Sequence, residues 1–131
     1  MKKLFVLSFL LGILSMSLAQ TGVTNYGVSS GTQGNYNSFF GYYTGNAAAN
    51  SSSYNSFFGA FSGKNTTTGS YNTTVGMQAF YTNTSGSLNT AIGQAALYNN
   101  TTGSHNTATG YAALINNSNA SYNTVWVLCT C

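Results

Sequence analysis

The feature that most constrains this chain is an internal repeat of 17 residues. An asparagine marks the same place in every copy. The recurring asparagines are Asn37, Asn55, Asn72, Asn89, Asn106 and Asn123, and they are separated once by 18 residues and then always by 17. A strict period of this length is typical of a solenoid, in which every repeat forms one coil that stacks on the next. The pattern predicts five complete coils over residues 36–121.

Each repeat begins with a short segment that has strand composition. Serine or threonine follows the asparagine, and a glycine closes the segment at Gly41, Gly59, Gly76, Gly93 and Gly110. β-branched and aromatic residues bounded by glycine predict a strand that ends in a turn. We place the residue directly before the glycine on the inward face. That column contains Phe40, Phe58, Val75 and Ile92.

A second apolar group follows the glycine, for example Gln94-Ala95-Ala96-Leu97. It predicts a second strand-like piece, and its alanine and leucine content also leaves room for one helical turn per coil. A polar turn rich in Asn, Thr and Gly ends each unit. The fold class predicted is therefore all-β, a β-solenoid of about 17-residue coils. Stacked at the ~4.8 Å spacing of neighbouring strands, the recurrent asparagines would form an internal ladder.

The two ends of the chain depart from the repeat. Residues 1–19 have the charged start, apolar centre and small-residue end of a signal peptide, so we expect a protein that is secreted or held at the cell surface, with no membrane insertion after cleavage. Residues 20–35 are expected to be an N-terminal cap or an irregular start. Residues 122–131 contain a partial repeat and an apolar tail, which is a capping strand, a polymerisation strand or the product of a truncated or shifted reading frame.

The scarcity of charged side chains excludes several classes of function. The chain has no Asp or Glu, and Lys64 is the only Lys or Arg beyond the predicted leader. Binding to nucleic acid depends on many basic side chains, so we expect none. With no carboxylate and with His105 as the single histidine, no acid–base pair and no ordinary metal site can form within one chain. We therefore expect no enzyme activity, no cofactor, and for His105 a place on the repeat surface.

The two cysteines, Cys129 and Cys131, lie two residues apart. On a strand they would point to the same face, which strains a bridge between them. We expect disulfides to a neighbouring subunit or free thiols, with a soft-metal site as a weaker alternative.

A disordered low-complexity chain is the alternative to a folded solenoid. Disordered chains contain few aromatic residues and are enriched in proline, whereas aromatic residues make up 15% of this chain and proline is absent.

The segments Asn89-Thr90-Ala91-Ile92-Gly93 and Asn106-Thr107-Ala108-Thr109-Gly110 carry a family resemblance. They resemble the head repeats of trimeric autotransporter adhesins and, more closely, the Asn-Thr-Ala-x-Gly arrays of bacterial surface proteins and phage tail-fibre-like proteins. The resemblance covers about residues 71–124 well and residues 36–70 loosely. It implies an extracellular, trimeric β-solenoid that displays or adheres.

Three functions fit these observations. The leading hypothesis is a structural or adhesive module of a cell-surface fibre, which associates with itself as a homotrimer or filament and contacts carbohydrate or surface proteins through Tyr, Asn and Thr side chains. A self-assembling amyloid-like filament subunit is the second, because nothing charged opposes strand association. An ice-binding protein with flat threonine ladders is the third and the least favoured, because Thr67, Thr84 and Thr101 lie in predicted turns and the threonine is not present in every unit.

Overall fold

The protein is described by a computed structural model in which residues 24–26, 36–47 and 51–128 are placed. Seven strands form one parallel sheet in the order of the sequence. The strands are β1 (Thr24–Tyr26), β2 (Ser38–Phe40), β3 (Ser56–Phe58), β4 (Thr73–Val75), β5 (Thr90–Ile92), β6 (Thr107–Thr109) and β7 (Thr124–Trp126). The chain is an all-β solenoid, as the repeat predicts, and its described residues contain no helix.

The strands pair with equivalent residues in register. Val75 lies beside Ile92, and Ile92 lies beside Thr109, so a step of 17 residues returns the chain to the same position one strand later. Strand β1 pairs with β2 although it lies in the irregular segment 20–35, and Thr24 is the partner of Ser38. The predicted signal peptide 1–19 and the rest of segment 20–35 lie outside the described residues.

The inward face of the strands is one residue away from the predicted column. The buried side chains are Phe39, Phe57, Thr74, Ala91 and Ala108. In contrast, Phe58, Val75 and Ile92 are about 40% exposed, at 39%, 42% and 41%. The prediction was wrong because side chains alternate along a strand. An asparagine that points inward requires the residue two positions later to point inward as well, and the residue before the glycine is three positions later.

The second apolar group forms consecutive turns, so the predicted second strand and the predicted helical turn are both absent from the described coils. In Met77–Thr82 the residues Gln78 and Phe80 have φ angles of 58° and 57°. A right-handed helix needs negative φ at every residue. The backbone N–H of Gln78 donates to Ala60 of the preceding coil and that of Phe80 to Ala96 of the following coil. Bonds between coils thus replace the bonds that a helix would form.

The glycine after each strand cannot easily be replaced by another residue. Gly93 has a φ of +127°, and a Cβ atom added to it would lie 2.3 Å from the carbonyl oxygen of Gly110 in the next coil. Both the backbone angle and the close stacking therefore require glycine at this place. The turn that follows directs the chain away from the sheet and into the second apolar group.

Candidate interaction surfaces

The recurrent asparagines lie inside the solenoid and join successive coils. Asn89 donates its backbone N–H to Oδ1 of Asn72 at 2.9 Å, and its own Oδ1 accepts the N–H of Asn106 at 2.9 Å. Its Nδ2 donates to Gly103 O at 2.9 Å, near the end of the same coil. The same bond from backbone N–H to Oδ1 links every successive pair from Asn37 to Asn123. The amide side chain supplies its acceptor and its donor on two separate atoms, Oδ1 towards the neighbouring coil and Nδ2 towards its own coil, whereas a hydroxyl group has both on one atom.

A second asparagine ladder runs through the polar turn that ends each unit, next to the first ladder, since Asn89 and Asn100 both donate to Gly103 O; we did not identify it from the sequence. Asn117 Nδ2 donates to Asn100 Oδ1 at 2.8 Å, and Asn100 Nδ2 donates to Asn83 Oδ1 at 3.2 Å. In the preceding coil Thr66 occupies this place, and its buried Oγ1 has no hydrogen-bond partner among the described residues. The 17-residue spacing of the three asparagines was a signal that the sequence offered.

A serine ladder also joins the coils and was missed in the same way. The backbone N–H of Ser70 donates to Ser87 Oγ at 3.0 Å, and the N–H of Ser87 donates to Ser104 Oγ at 3.0 Å. Ser53 and Ser121 continue the ladder at its two ends. These internal ladders use their polar groups within the solenoid. They therefore hold the coils together and offer little to an external ligand.

The outer face of the sheet is available for contact. We call it the sheet face, and it consists of three columns of side chains that alternate with the buried ones. The first column, before the ladder asparagine, is Tyr36, Tyr54, Tyr71, Leu88, His105 and Tyr122. The second is Ser38, Ser56, Thr73, Thr90, Thr107 and Thr124, and the third is Phe40, Phe58, Val75, Ile92, Thr109 and Trp126. Apart from His105 the face has no ionisable side chain other than tyrosine, so it is uncharged and mostly apolar along its length.

The first column of the sheet face adopts a backbone conformation that is unusual for its residues. All six residues have φ angles between 58° and 63°. The left-handed region costs about 1–2 kcal/mol for a residue with a Cβ atom, and Gly or Asn would fit more easily. Tyr54 stacks on Tyr36 at 5.1 Å and on Tyr71 at 4.7 Å, and His105 stacks on Tyr122 at 4.6 Å between ring centroids. His105 is thus an exposed residue of the repeat surface.

The threonines at two places in the repeat differ in how they use their hydroxyl groups. In the turn, Oγ1 of Thr67, Thr84 and Thr101 donates to a backbone carbonyl of the next coil at 2.9–3.0 Å. On the sheet face, the hydroxyl groups of Thr73, Thr90 and Thr107 form no hydrogen bond with any residue that the structure describes. Of these two columns of threonines, the one on the strands therefore has the free hydroxyl groups.

A second surface of the solenoid contains Lys64, whose ammonium group lies among aromatic rings. Lys64 Nζ lies 5.3 Å from the ring centroids of Phe61 and Tyr81 and 5.6 Å from that of Tyr43. It also donates a hydrogen bond to Tyr81 Oη at 3.2 Å. The Tyr81 ring stacks in turn on Tyr98, with centroids 5.0 Å apart and planes 1° apart. We call these five residues the lysine cluster.

Comparisons with protein-family models, with curated proteins and with solved structures found no match. Within the described ranges, no helix is long and apolar enough to cross a membrane, and no group of three His, Cys, Asp or Glu residues is placed to hold a metal ion. Cys129 and Cys131 lie outside those ranges.

Proposed function

We propose that this protein is a non-catalytic structural module of an extracellular fibre, in which solenoids associate side by side through the sheet face. The observation that carries the proposal is the exposure of Phe58, Val75 and Ile92 in one continuous column. Contiguous apolar surface on a soluble protein marks a place of contact with another molecule. The resemblance of the repeat to adhesin heads and fibre arrays supports the same function.

A second copy of this chain is the partner that we infer for the sheet face. The face repeats once per coil at the ~4.8 Å strand spacing, and another solenoid of the same repeat can match it along its whole length. The chain has no Asp or Glu, so little charge repulsion opposes the contact between copies. The resemblance implies a trimer. Carbohydrate or a surface protein would then contact the remaining surfaces of the fibre.

The left-handed tyrosines support the same assignment. Tyr54 and Tyr71 are 48% and 56% exposed, so they contribute little to the core, and their backbone conformation is unfavourable for tyrosine. Strained residues with no role in packing are common at functional sites. At a contact between copies these rings would add apolar area and hydroxyl groups together, as tyrosines do at protein interfaces.

The test is to purify residues 20–131 in a reducing buffer and to measure mass by light scattering and shape by negative-stain microscopy. The variant Val75→Lys/Ile92→Lys places two charges on the sheet face, and the variant Ser85→Lys/Thr102→Lys places two on an exposed turn as the matched control. We expect a discrete oligomer of short rods for the parent and the control, and monomers for the sheet-face variant.

Other outcomes decide against this proposal. Long filaments of constant width in the parent would make the protein a self-assembling filament subunit. A monomeric parent, or an oligomer that both lysine variants leave unchanged, would remove the sheet face as the contact between copies. The reducing buffer keeps disulfides of the two terminal cysteines from producing the oligomer.

Ice binding is the second candidate, and the free hydroxyl groups of Thr73, Thr90 and Thr107 favour it. They stand in register on a parallel sheet, with Val75, Ile92 and Thr109 beside them on the same face. This is a different column from the turn threonines that the sequence suggested. A face covered by a second copy cannot contact ice, so the two functions exclude each other. Thermal hysteresis that Thr90→Lys abolishes and Thr84→Lys leaves unchanged would establish ice binding.

A further inference from the structure

We propose that the lysine cluster is a binding site for the carboxylate groups of an acidic polysaccharide. The cluster lies in the second apolar group and at the residue directly after it, away from the column of apolar side chains on the strands. Its charged residue, Lys64, stands in a column that otherwise contains Asn46, Tyr81, Tyr98 and Ile115. The other positions of this column show that a lysine is not needed to build the coil.

Lys64 has no carboxylate side chain of its own chain to pair with. The chain contains no Asp and no Glu. No second copy can supply a side-chain carboxylate either, whatever the oligomer. A side-chain carboxylate that pairs with this ammonium group therefore comes from a different molecule.

The ammonium group of Lys64 is held in place before any ligand binds. Tyr43, Phe61 and Tyr81 belong to three successive coils, and their rings converge on Lys64 Nζ at 5.3–5.6 Å. A free lysine side chain loses considerable rotamer entropy when a ligand immobilises it, and here folding has already restricted it. One N–H donates to Tyr81 Oη, and the two remaining N–H groups can donate to a carboxylate.

Polar side chains lie beside Lys64 and along the coils that follow it. Asn65 follows Lys64 in the chain, and Asn99 holds the same place two coils later beside Tyr98. Each of three successive coils thus has an amide or a phenol group on this surface, from Asn65, from Tyr81, and from Tyr98 with Asn99, and these groups can form hydrogen bonds with the hydroxyl groups of an extended polymer. The faces of the Tyr81 and Tyr98 rings are turned towards each other, which leaves their edges and hydroxyl groups for contact. This combination fits a chain of acidic sugars better than an acidic peptide, which offers few hydroxyl groups.

A single charge per chain predicts weak binding by one solenoid. If the protein forms the oligomer proposed above, each copy adds one lysine cluster, and a long polysaccharide can engage several at once with a large gain in avidity. Only this gain depends on the proposed function. Binding of a short ligand to one cluster does not.

The experiment has two parts, both with residues 20–131. A short oligogalacturonate is titrated into the protein and followed by NMR shifts of the tyrosine rings, and retention on immobilised polygalacturonate is compared with retention on neutral dextran. Lys64→Met keeps the apolar stem and removes the charge, whereas Lys64→Arg keeps the charge. We expect Lys64→Met to weaken binding about tenfold, the loss of one charge-assisted hydrogen-bonded contact, and Lys64→Arg to keep it.

The titration of the short ligand remains informative if the protein proves to be monomeric, so failure of the oligomer and failure of this site are distinguishable. Equal binding by the parent and Lys64→Met would overturn the proposal. Equal retention on dextran, or binding of polyglutamate in preference to polygalacturonate, would overturn the assignment to acidic polysaccharide. Thermal unfolding of both variants is measured as well, because a loss of binding counts only in a variant that unfolds at the temperature of the parent.

Discussion

Two coils of this solenoid fill the same interior in opposite ways. In the coil of residues 54–70 the strand supplies a large side chain, Phe57, and the facing turn has Gly63. In the coil of residues 88–104 the strand supplies the small Ala91, and Leu97 fills the space from the turn. A Cβ atom added to Gly63 would lie 2.3 Å from the Phe57 ring. Between these two coils the large side chain therefore moves from the strand to the turn, and the interior stays filled in both.

Because the large side chain comes from the strand in some coils and from the turn in others, the interior has two parts. Phe39 and Phe57 pack as an aromatic pair, with ring centroids 5.1 Å apart. The later coils share one cluster of small and aliphatic side chains around a single phenylalanine. Its buried members are Ala79, Phe80, Ala91, Ala96, Leu97, Ala108 and Ala113. The same backbone thus accepts two cores because a close-packed interior can be filled from the strand or from the turn.

The largest effect is expected from Phe57→Ala. It leaves an empty space opposite Gly63, and we expect the free energy of unfolding to fall by about 3–5 kcal/mol. The double variant Phe57→Ala/Gly63→Leu should recover about half of this loss or more, because Leu97 already adopts the left-handed conformation at the equivalent place, with φ at 51°. Urea unfolding at one fixed protein concentration measures both.

Phe58→Ala, on the outer face of the same strand, is the control for Phe57→Ala. Its side chain is 39% exposed and stacks on Phe40 with ring centroids 4.9 Å apart, so its loss is expected to cost about 1–2 kcal/mol in the monomer, less than the loss of the fully buried Phe57. If the double variant were no more stable than Phe57→Ala alone, the volume exchange between strand and turn would not be what allows the two kinds of coil.

The boundary between the two cores gives the next prediction. There the hydroxyl groups of Ser62 and Thr74 are hydrogen-bonded to each other and buried. One coil later the same two places are held by Ala79 and Ala91. Ser62→Ala leaves the Thr74 hydroxyl group buried without this partner, and we expect a loss of about 1–3 kcal/mol.

The double variant Ser62→Ala/Thr74→Ala reproduces the arrangement of the following coil. We expect it to be at least as stable as Ser62→Ala, because replacing both partners of a buried hydrogen bond leaves no unsatisfied group. A double-mutant cycle from urea unfolding measures the coupling. Losses that simply add would mean that the two hydroxyl groups act independently and that the boundary needs no polar contact.

Periodicity was enough to predict much of this fold. The spacing of the asparagines and the glycines predicted the solenoid, the coil length and the places of the strands. The inward column was wrong, although the sequence contained the correction: an inward Asn89 requires Ala91, and not Ile92, to point inward. Alanine had been given too little weight as a core residue because its partner in volume, Leu97, lies in another part of the repeat.

The turns were harder to predict for a physical reason. Ala-Ala-Leu favours a helix when only neighbours in sequence are considered. Here the backbone groups of Ala95 and Leu97 form bonds with the coils before and after, and both residues accept positive φ angles, 57° and 51°. Stacking of coils thus decides the local conformation. The sheet face and the lysine cluster required the same information, since their members are far apart in the sequence.

The smallest expected effect comes from the first column of the sheet face, where the aromatic and aliphatic coils differ again. Tyr71 stacks on Tyr54 at 4.7 Å, whereas Leu88 in the next coil has no ring to stack, and both have a φ of 59°. Asparagine tolerates this conformation better than either residue. We expect Leu88→Asn to raise the free energy of unfolding by up to about 1 kcal/mol, part of the left-handed cost.

Tyr71→Asn gains the same relief but loses a ring contact of about 0.5–1.5 kcal/mol, so its net change is expected to lie near zero. Urea unfolding of the two variants under conditions where the protein is monomeric measures the difference. Equal stabilisation by both would mean that stacking of the exposed rings contributes nothing to the folded monomer. Contact between the sheet face and another molecule would then be the remaining reason for tyrosine in this column, because nothing within the solenoid would offset the cost of its left-handed backbone.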